Sequence, residues 1–194
     1  MLPQMPKVDL GRPATYDDLV AVPDHLVAEI VDGELWTSPR PAPRHATVQG
    51  ALGALVTFPL QFGRGGPGGW RILPEPELHL GDQAVVPDIA GWRIERMPQL
   101  PDTAYFAVSP DWVCEILSPS TALLDRAKKL RVYAEHRVRH AWLVDPILRT
   151  LEVLRLADGR WTLLETHAGD LVVRAEPFES LGLELSLMWG ENSG

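Results

Sequence analysis

Two acids stand where the hydrophobic pattern calls for apolar side chains. In Ala84–Trp92 (AVVPDIAGW), strand alternation places Val86, Asp88 and Ala90 on one face. In WVCEILS the same rule groups Val113, Glu115 and Leu117. An unpaired carboxylate is costly to bury, and two within about 4 Å repel by roughly 4 kcal/mol at an effective dielectric of 20. A divalent cation between them relieves both costs, and hard oxygen donors suit Mg²⁺ or Mn²⁺. An arginine partner, or a place at a wet strand end, would relieve them too. A third element follows in sequence. Asp125, Lys129 and Tyr133 are spaced i, i+4, i+8 and line one flank of a helix, with Lys128 turned about 100° away. Lys129 is therefore the lysine placed to lean over the sheet. The plainer alternative is an Asp125–Lys129 surface pair worth a few tenths of a kcal/mol.

The elements that must position these groups follow from pattern and punctuation. Thr15 and Asp18 form a capping box that opens a short helix, stopped at Pro23. Asp32-Gly33 is a tight turn between two short strands within AEIVDGELWTS. PRPAPRH is a loop. From His45, apolar residues at helical spacing (Val48, Ala51, Leu52, Leu55, Val56) predict a helix ending near Pro59 or Phe62. Strands are expected over Trp70–Leu80, Ala84–Trp92 and Trp112–Leu117, with an irregular excursion over 93–110. Ser118-Pro119-Ser120-Thr121 caps the next helix, whose stripe is Leu123, Ala127, Leu130 and Ala134. HAWLVD is a buried strand, Asp158-Gly159 marks a hairpin between LEVLRL and WTLLET, and LVVRA with the ending to Trp189 completes the sheet. The helix between WVCEIL and HAWLVD implies a parallel crossover, so the fold class is α/β with a mixed sheet. All 194 residues read as one domain, with 1–13 a loose arm.

Composition narrows the functions. One cysteine, Cys114, excludes an internal disulfide framework and a Cys-based zinc knuckle; facing away from Glu115, it reads as a small buried residue. No apolar run reaches a membrane span, and the start lacks a signal peptide's apolar middle, so a cytoplasmic protein without membrane contact is expected. A net charge of −8 argues against coating nucleic acid with the whole surface. Ser120–His140 is locally basic, carrying six cations against two acids. G-x-G-x-x-G at Gly63, Gly65 and Gly68 follows a helix and precedes a strand, the reverse of a dinucleotide site. His136 and His140 straddle a helix end and a strand start, which does not suit a shared metal. Glu75 and Glu77 read as exposed, and the seven tryptophans as packing residues.

Pro87-Asp88 followed by Glu115 on a hydrophobic strand resembles the PD-(D/E)XK nuclease superfamily. More closely, the chain resembles the Uma-two family of bacterial restriction endonuclease-like proteins. TYDDLVAVPDHLVAEIVDGEL, PRPAPRHATVQGAL, VVPDIAGW, DWVCEILSPST and DRAKKLRVYAEHRVRHAWLVDP carry the likeness in family order across Thr15–Pro146. The resemblance implies a restriction endonuclease-like core, a mixed sheet flanked by helices, with an added N-terminal hairpin and C-terminal strands. It implies that Asp88 and Glu115 hold the metal, helped by the Ile116 carbonyl, and that Glu29 and His45 approach the same centre. The superfamily's usual lysine position, two after the second acid, is Leu117 here; the Uma-two pattern moves the lysine to the following helix, where it falls on Lys129. Arg137 stands where the family usually has glycine, which predicts a changed helix ending.

The function expected on these grounds is Mg²⁺- or Mn²⁺-dependent endonucleolytic cleavage of DNA. Asp88 and Glu115 would hold the metal, Lys129 would orient water or stabilise the transition state, and Arg126, Lys128 and Arg131 would contact the phosphate backbone. A homodimer would supply two sites for a duplex. The rival is a silent nuclease-fold module that binds nucleic acid or protein, which Leu117 and the acidic charge favour. A third possibility is a metal-free hydrolase with paired carboxylates, in which Lys129 has no role.

Overall fold

A computed structural model describes residues 6–190. Strand β1 (Lys7–Val8) pairs with the later strand of the first hairpin, through Trp36 and Leu35. Part of the arm expected to be loose is thus held at a sheet edge; residues 1–5 of it lie outside the described residues. Helix α1 (Tyr16–Val20) opens on the expected box, with Asp18 accepting from the Thr15 backbone N–H at 2.8 Å. Strands β2 (Leu26–Val31) and β3 (Glu34–Pro39) meet at Asp32-Gly33. Both turn residues have positive φ, 58° and 70°, the geometry of a two-residue hairpin turn.

Helix α2 spans Pro43–Leu60, two residues earlier than expected from His45. Proline suits the first helical position because its missing N–H would have no partner there. The buried residues Val48, Leu52, Val56 and Leu60 form one i, i+4 row.

Two expected strands are broken, each at a proline. Trp70–Leu80 divides into β4 (Trp70–Pro74) and β5 (Leu78–Leu80), and Ala84–Trp92 into β6 (Gln83–Val85) and β7 (Ile89–Arg93). Pro76 and Pro87 cannot donate to a ladder, so the chain changes sheets there. The two breaks touch, the Glu75 N–H donating to the Asp88 carbonyl at 3.0 Å. Strand β8 (Trp112–Ile116) follows the irregular excursion. The helix after it begins as a wide π-helical turn (Leu124–Lys129) and continues as α3 (Leu130–Glu135). Strands β9 (His140–Asp145), β10 (Thr150–Ala157) and β11 (Arg160–Ala168) complete the larger sheet.

That sheet has the order β11-β10-β9-β8-β7-β4, with β8 and β9 parallel across the helical crossover and its other pairs antiparallel. A five-stranded sheet, β1-β3-β2-β6-β5, holds the hairpin. The C-terminal segment does not join the larger sheet. Its strands β12 (Val172–Val173) and β13 (Leu183–Glu184) pair with each other, and Phe178 anchors the segment by edge-on contacts to Trp70, Trp112 and Trp142. Alternation along β8 sorts two cores. Trp112, Cys114 and Ile116 pack with α2 and the C-terminal segment, and Val113 and Leu117 pack with α3. Glu115 shares the second face. Among the described residues no helix is long and apolar enough to cross a membrane.

Candidate active site

Asp88 and Glu29 are each held by a backbone N–H that is freed where strand pairing stops. The β7–β8 ladder ends at Ile89↔Cys114, and the Ile116 N–H beyond it donates to Asp88 Oδ2 at 2.6 Å. The β2–β6 pairing is confined to Ile30↔Ala84, and the next free donor, the Val86 N–H, goes to Glu29 Oε1 at 2.8 Å. Asp88 therefore stands on the break between β6 and β7, and not within a strand as alternation suggests. The proline that ends the ladder also frees the carboxylate to turn inward.

Lys129 is the centre of the arrangement. Its side chain is 3 % exposed, and its Nζ lies 3.0 Å from Glu29, 3.0 Å from Glu115 and 3.7 Å from Asp125, while donating to the Val86 carbonyl at 3.0 Å. The expected stripe Leu123, Ala127, Leu130, Ala134 is not the buried face: Leu123 is 63 % exposed. The π-helical turn has a wider repeat than an α-helix, and it rotates Asp125, Lys129 and Tyr133 inward with Leu124 and Leu130. The Tyr133 hydroxyl donates to Glu115 Oε1 at 2.5 Å. Asp125 and Lys129 are accordingly a buried pair and not a surface one.

His45 lies in the first turn of α2, with Nε2 3.2 Å from Asp88 Oδ1. One turn on, Gln49 donates to the Asp88 carbonyl at 3.1 Å and to Glu75 at 3.0 Å. Asp88, Glu115, Lys129, Glu29 and His45 all line one cavity of about 310 Å³, with Asp125, the Ile116 backbone and Glu75. Glu75 is exposed at its mouth, and Glu77 is paired with His79.

Electrostatics follow from burial. Burial pushes the Glu115 carboxyl well up, against the lowering effect of Lys129, and pushes Asp125 up to about 7. For Lys129 burial acts downward, but Glu115, Glu29, Tyr133 and Asp125 together outweigh it, and its pKa is raised. Burial also acts downward on His45, but the Asp88 carboxylate, Asp125 and the Ile116 carbonyl together outweigh it, so its pKa is raised. Five acidic side chains, Glu29, Glu75, Asp88, Glu115 and Asp125, line the cavity with Lys129 and Arg40, which makes it rich in carboxyl oxygen, a donor set suited to a hard divalent cation. Among the described residues no three His, Cys, Asp or Glu side chains converge to hold an ion by themselves. The protein's share would be two carboxylates and a carbonyl, the sparse protein coordination that Mg²⁺ commonly accepts.

Arg126, Lys128 and Arg131 lie outside this cavity, each engaged by carboxylates. Arg126 makes a two-pronged contact with Glu152 at 2.7 and 2.8 Å. Lys128 pairs with Glu34 at 2.7 Å, above the Trp36 ring, and Arg131 pairs with Asp32 and Glu135. Sequence reasoning gave no role to Gln49, although its i, i+4 spacing from His45 puts it on the same helix face. It read Ser118, Ser120 and Thr121 only as a cap, yet they line the cavity.

A protein family described as "Putative restriction endonuclease", Uma2, matches residues 13–188. Comparison with curated proteins finds no match. Among solved structures, the fold is similar to a crystal structure of a "putative nuclease belonging to DUF820" from Anabaena variabilis. The TM-score is 0.71 at 25 % identity, covering 91 % of this chain and 98 % of that one.

Proposed function

This chain belongs to the Uma2 restriction endonuclease-like family, and on that premise we propose that it is a divalent-metal-dependent endonuclease hydrolysing phosphodiester bonds in DNA. The observation that carries the reading is the Lys129 ammonium, buried between Glu29 and Glu115 in the cavity that Asp88 also lines. Asp88 and Glu115 would hold Mg²⁺ or Mn²⁺, with the Ile116 carbonyl beside them. When bound, such an ion supplies Lewis acidity toward a phosphoryl oxygen and lowers the pKa of a neighbouring water.

The protein's own groups do the rest. Lys129 is a fixed cation in a site largely withdrawn from water, where a charge aimed at developing phosphoryl negativity acts most strongly. Glu29 holds that ammonium from the opposite sheet. Tyr133 fixes the Glu115 carboxylate, and His45, with Nε2 toward Asp88, fixes the other acid. Leu117, in the superfamily's usual lysine position, is buried among apolar residues, and Lys129 supplies the ammonium from the helix instead.

The test is nicking or linearisation of supercoiled plasmid by the purified chain in Mg²⁺. Cleavage that EDTA stops, and that Glu115→Ala and Asp88→Ala each abolish, is the expected result. Cleavage persisting in either variant, once contaminating nuclease is excluded, overturns the assignment. One observation favours the silent module: the Lys129 ammonium is fully occupied by Val86, Glu29 and Glu115. Calorimetry separates the two, since a silent module shows no Mn²⁺ binding that depends on Asp88 and Glu115.

A further inference from the structure

Two cations line the cavity, and they are used differently. Lys129 is enclosed by carboxylates. Arg40, at the end of the first hairpin, is exposed, and among the described residues its one polar contact is donation to the Asp24 carbonyl at 2.8 Å. Elsewhere cations near the site are neutralised, Arg126 by Glu152, Lys128 by Glu34 and Arg131 by Asp32. Arg44, four residues on, has no carboxylate partner among the described residues. It sits in the first turn of α2, which contains no acid and where the helix dipole disfavours a cation. Arg44 does not line the cavity, so Arg40 is the guanidinium in its lining that has no carboxylate partner among the described residues.

The cavity lining also carries neutral hydroxyl groups. Ser118 Oγ lies 3.0 Å from both Ser120 Oγ and Thr121 Oγ1, and all three residues line the cavity. A guanidinium and hydroxyls lining one cavity are the recognition chemistry of a phosphodiester: a charged fork together with directional donors. We propose that Arg40, in the cavity lining that also holds Ser120 and Thr121, grips a backbone phosphate of the DNA strand next to the phosphate being cut. This inference rests on the nuclease reading and moves the backbone contact from Arg126, Lys128 and Arg131 to the cavity mouth.

Anisotropy of a fluorescein-labelled DNA duplex, titrated with the full chain in Ca²⁺ over a range of salt, tests it. Arg40→Gln raises Kd about five- to tenfold and flattens the slope of log K against log salt by about one, the signature of one lost phosphate contact. Arg40→Lys keeps most of the slope. Arg160→Gln, at the start of β11 and outside the cavity, changes neither quantity. Arg40→Gln variants that fold and bind with unchanged Kd and slope overturn the Arg40 assignment, while plasmid cleavage by the wild type would leave the nuclease reading standing. A wild-type chain that neither binds DNA nor cuts it overturns both.

Discussion

At the scale of single residues, the buried ammonium of Lys129 decides how the site is held together. Three carboxylates surround it, and removing one partner of a buried ionic group costs far more than the pair itself contributes. Lys129→Met should therefore destabilise the chain by about 3–5 kcal/mol in urea unfolding. Adding Glu29→Gln should restore part of that, because one stranded charge is then gone. A single variant as stable as the wild type would mean that the acids are neutral without the lysine. Asp88, Glu115 and Lys129 were legible in the sequence because each interrupts a strong apolar pattern or stands at a helical spacing from another charged group. Glu29 and His45 were not legible that way. Glu29 lies on an alternating hairpin strand that reads as half exposed, and it becomes buried only because β6 is laid beside it. The family resemblance, and not periodicity, pointed to both.

At the scale of elements, the departures from expectation share a cause: local rules do not see where a chain changes partners. Strands over Trp70–Leu80 and Ala84–Trp92 were legible as extended segments, but their division between two sheets is a tertiary choice made at Pro76 and Pro87. Those breaks are what bring Asp88 to the cavity. The stripe on the crossover helix was misplaced because a wide first turn shifts every later residue around the axis, which an α-helical period cannot reveal. Arg137 is an instructive third case. A changed helix ending is expected where glycine is replaced, yet Arg137 adopts φ 59° and the ending keeps its left-handed residue. Its N–H donates to the Ala134 carbonyl, and the Val138 N–H to Tyr133. A non-glycine residue there carries a steric penalty, so Arg137→Gly should raise stability by about 1 kcal/mol, read as a higher urea midpoint with an unchanged m value. A lower midpoint would show that the arginine side chain contributes more than its backbone costs.

At the scale of the whole molecule, the two sheets act as jaws around one charged centre. The hairpin sheet brings Glu29, Ser38 and Arg40, the larger sheet brings Glu115 and the Ile116 backbone, and the crossover helix brings Asp125 and Lys129 between them. The mixed sheet and its parallel β8–β9 pair were legible from the order of elements. The second sheet and the separate C-terminal hairpin were not, because strands of two residues such as Lys7–Val8 and Val172–Val173 are too short to show an alternation. A net charge of −8 and a basic local stretch pointed to different functions. The structure distributes much of that basic stretch into ion pairs with neighbouring acids, which leaves the cavity and its mouth as the place where an anionic polymer and a cation would meet. The most direct measurement is anomalous diffraction from crystals soaked in Mn²⁺. The account predicts a single strong peak contacted by Asp88 and Glu115 beside the Lys129 ammonium, absent in Glu115→Ala crystals soaked in the same way. A cavity without that peak, or a peak that survives loss of Glu115, would contradict it.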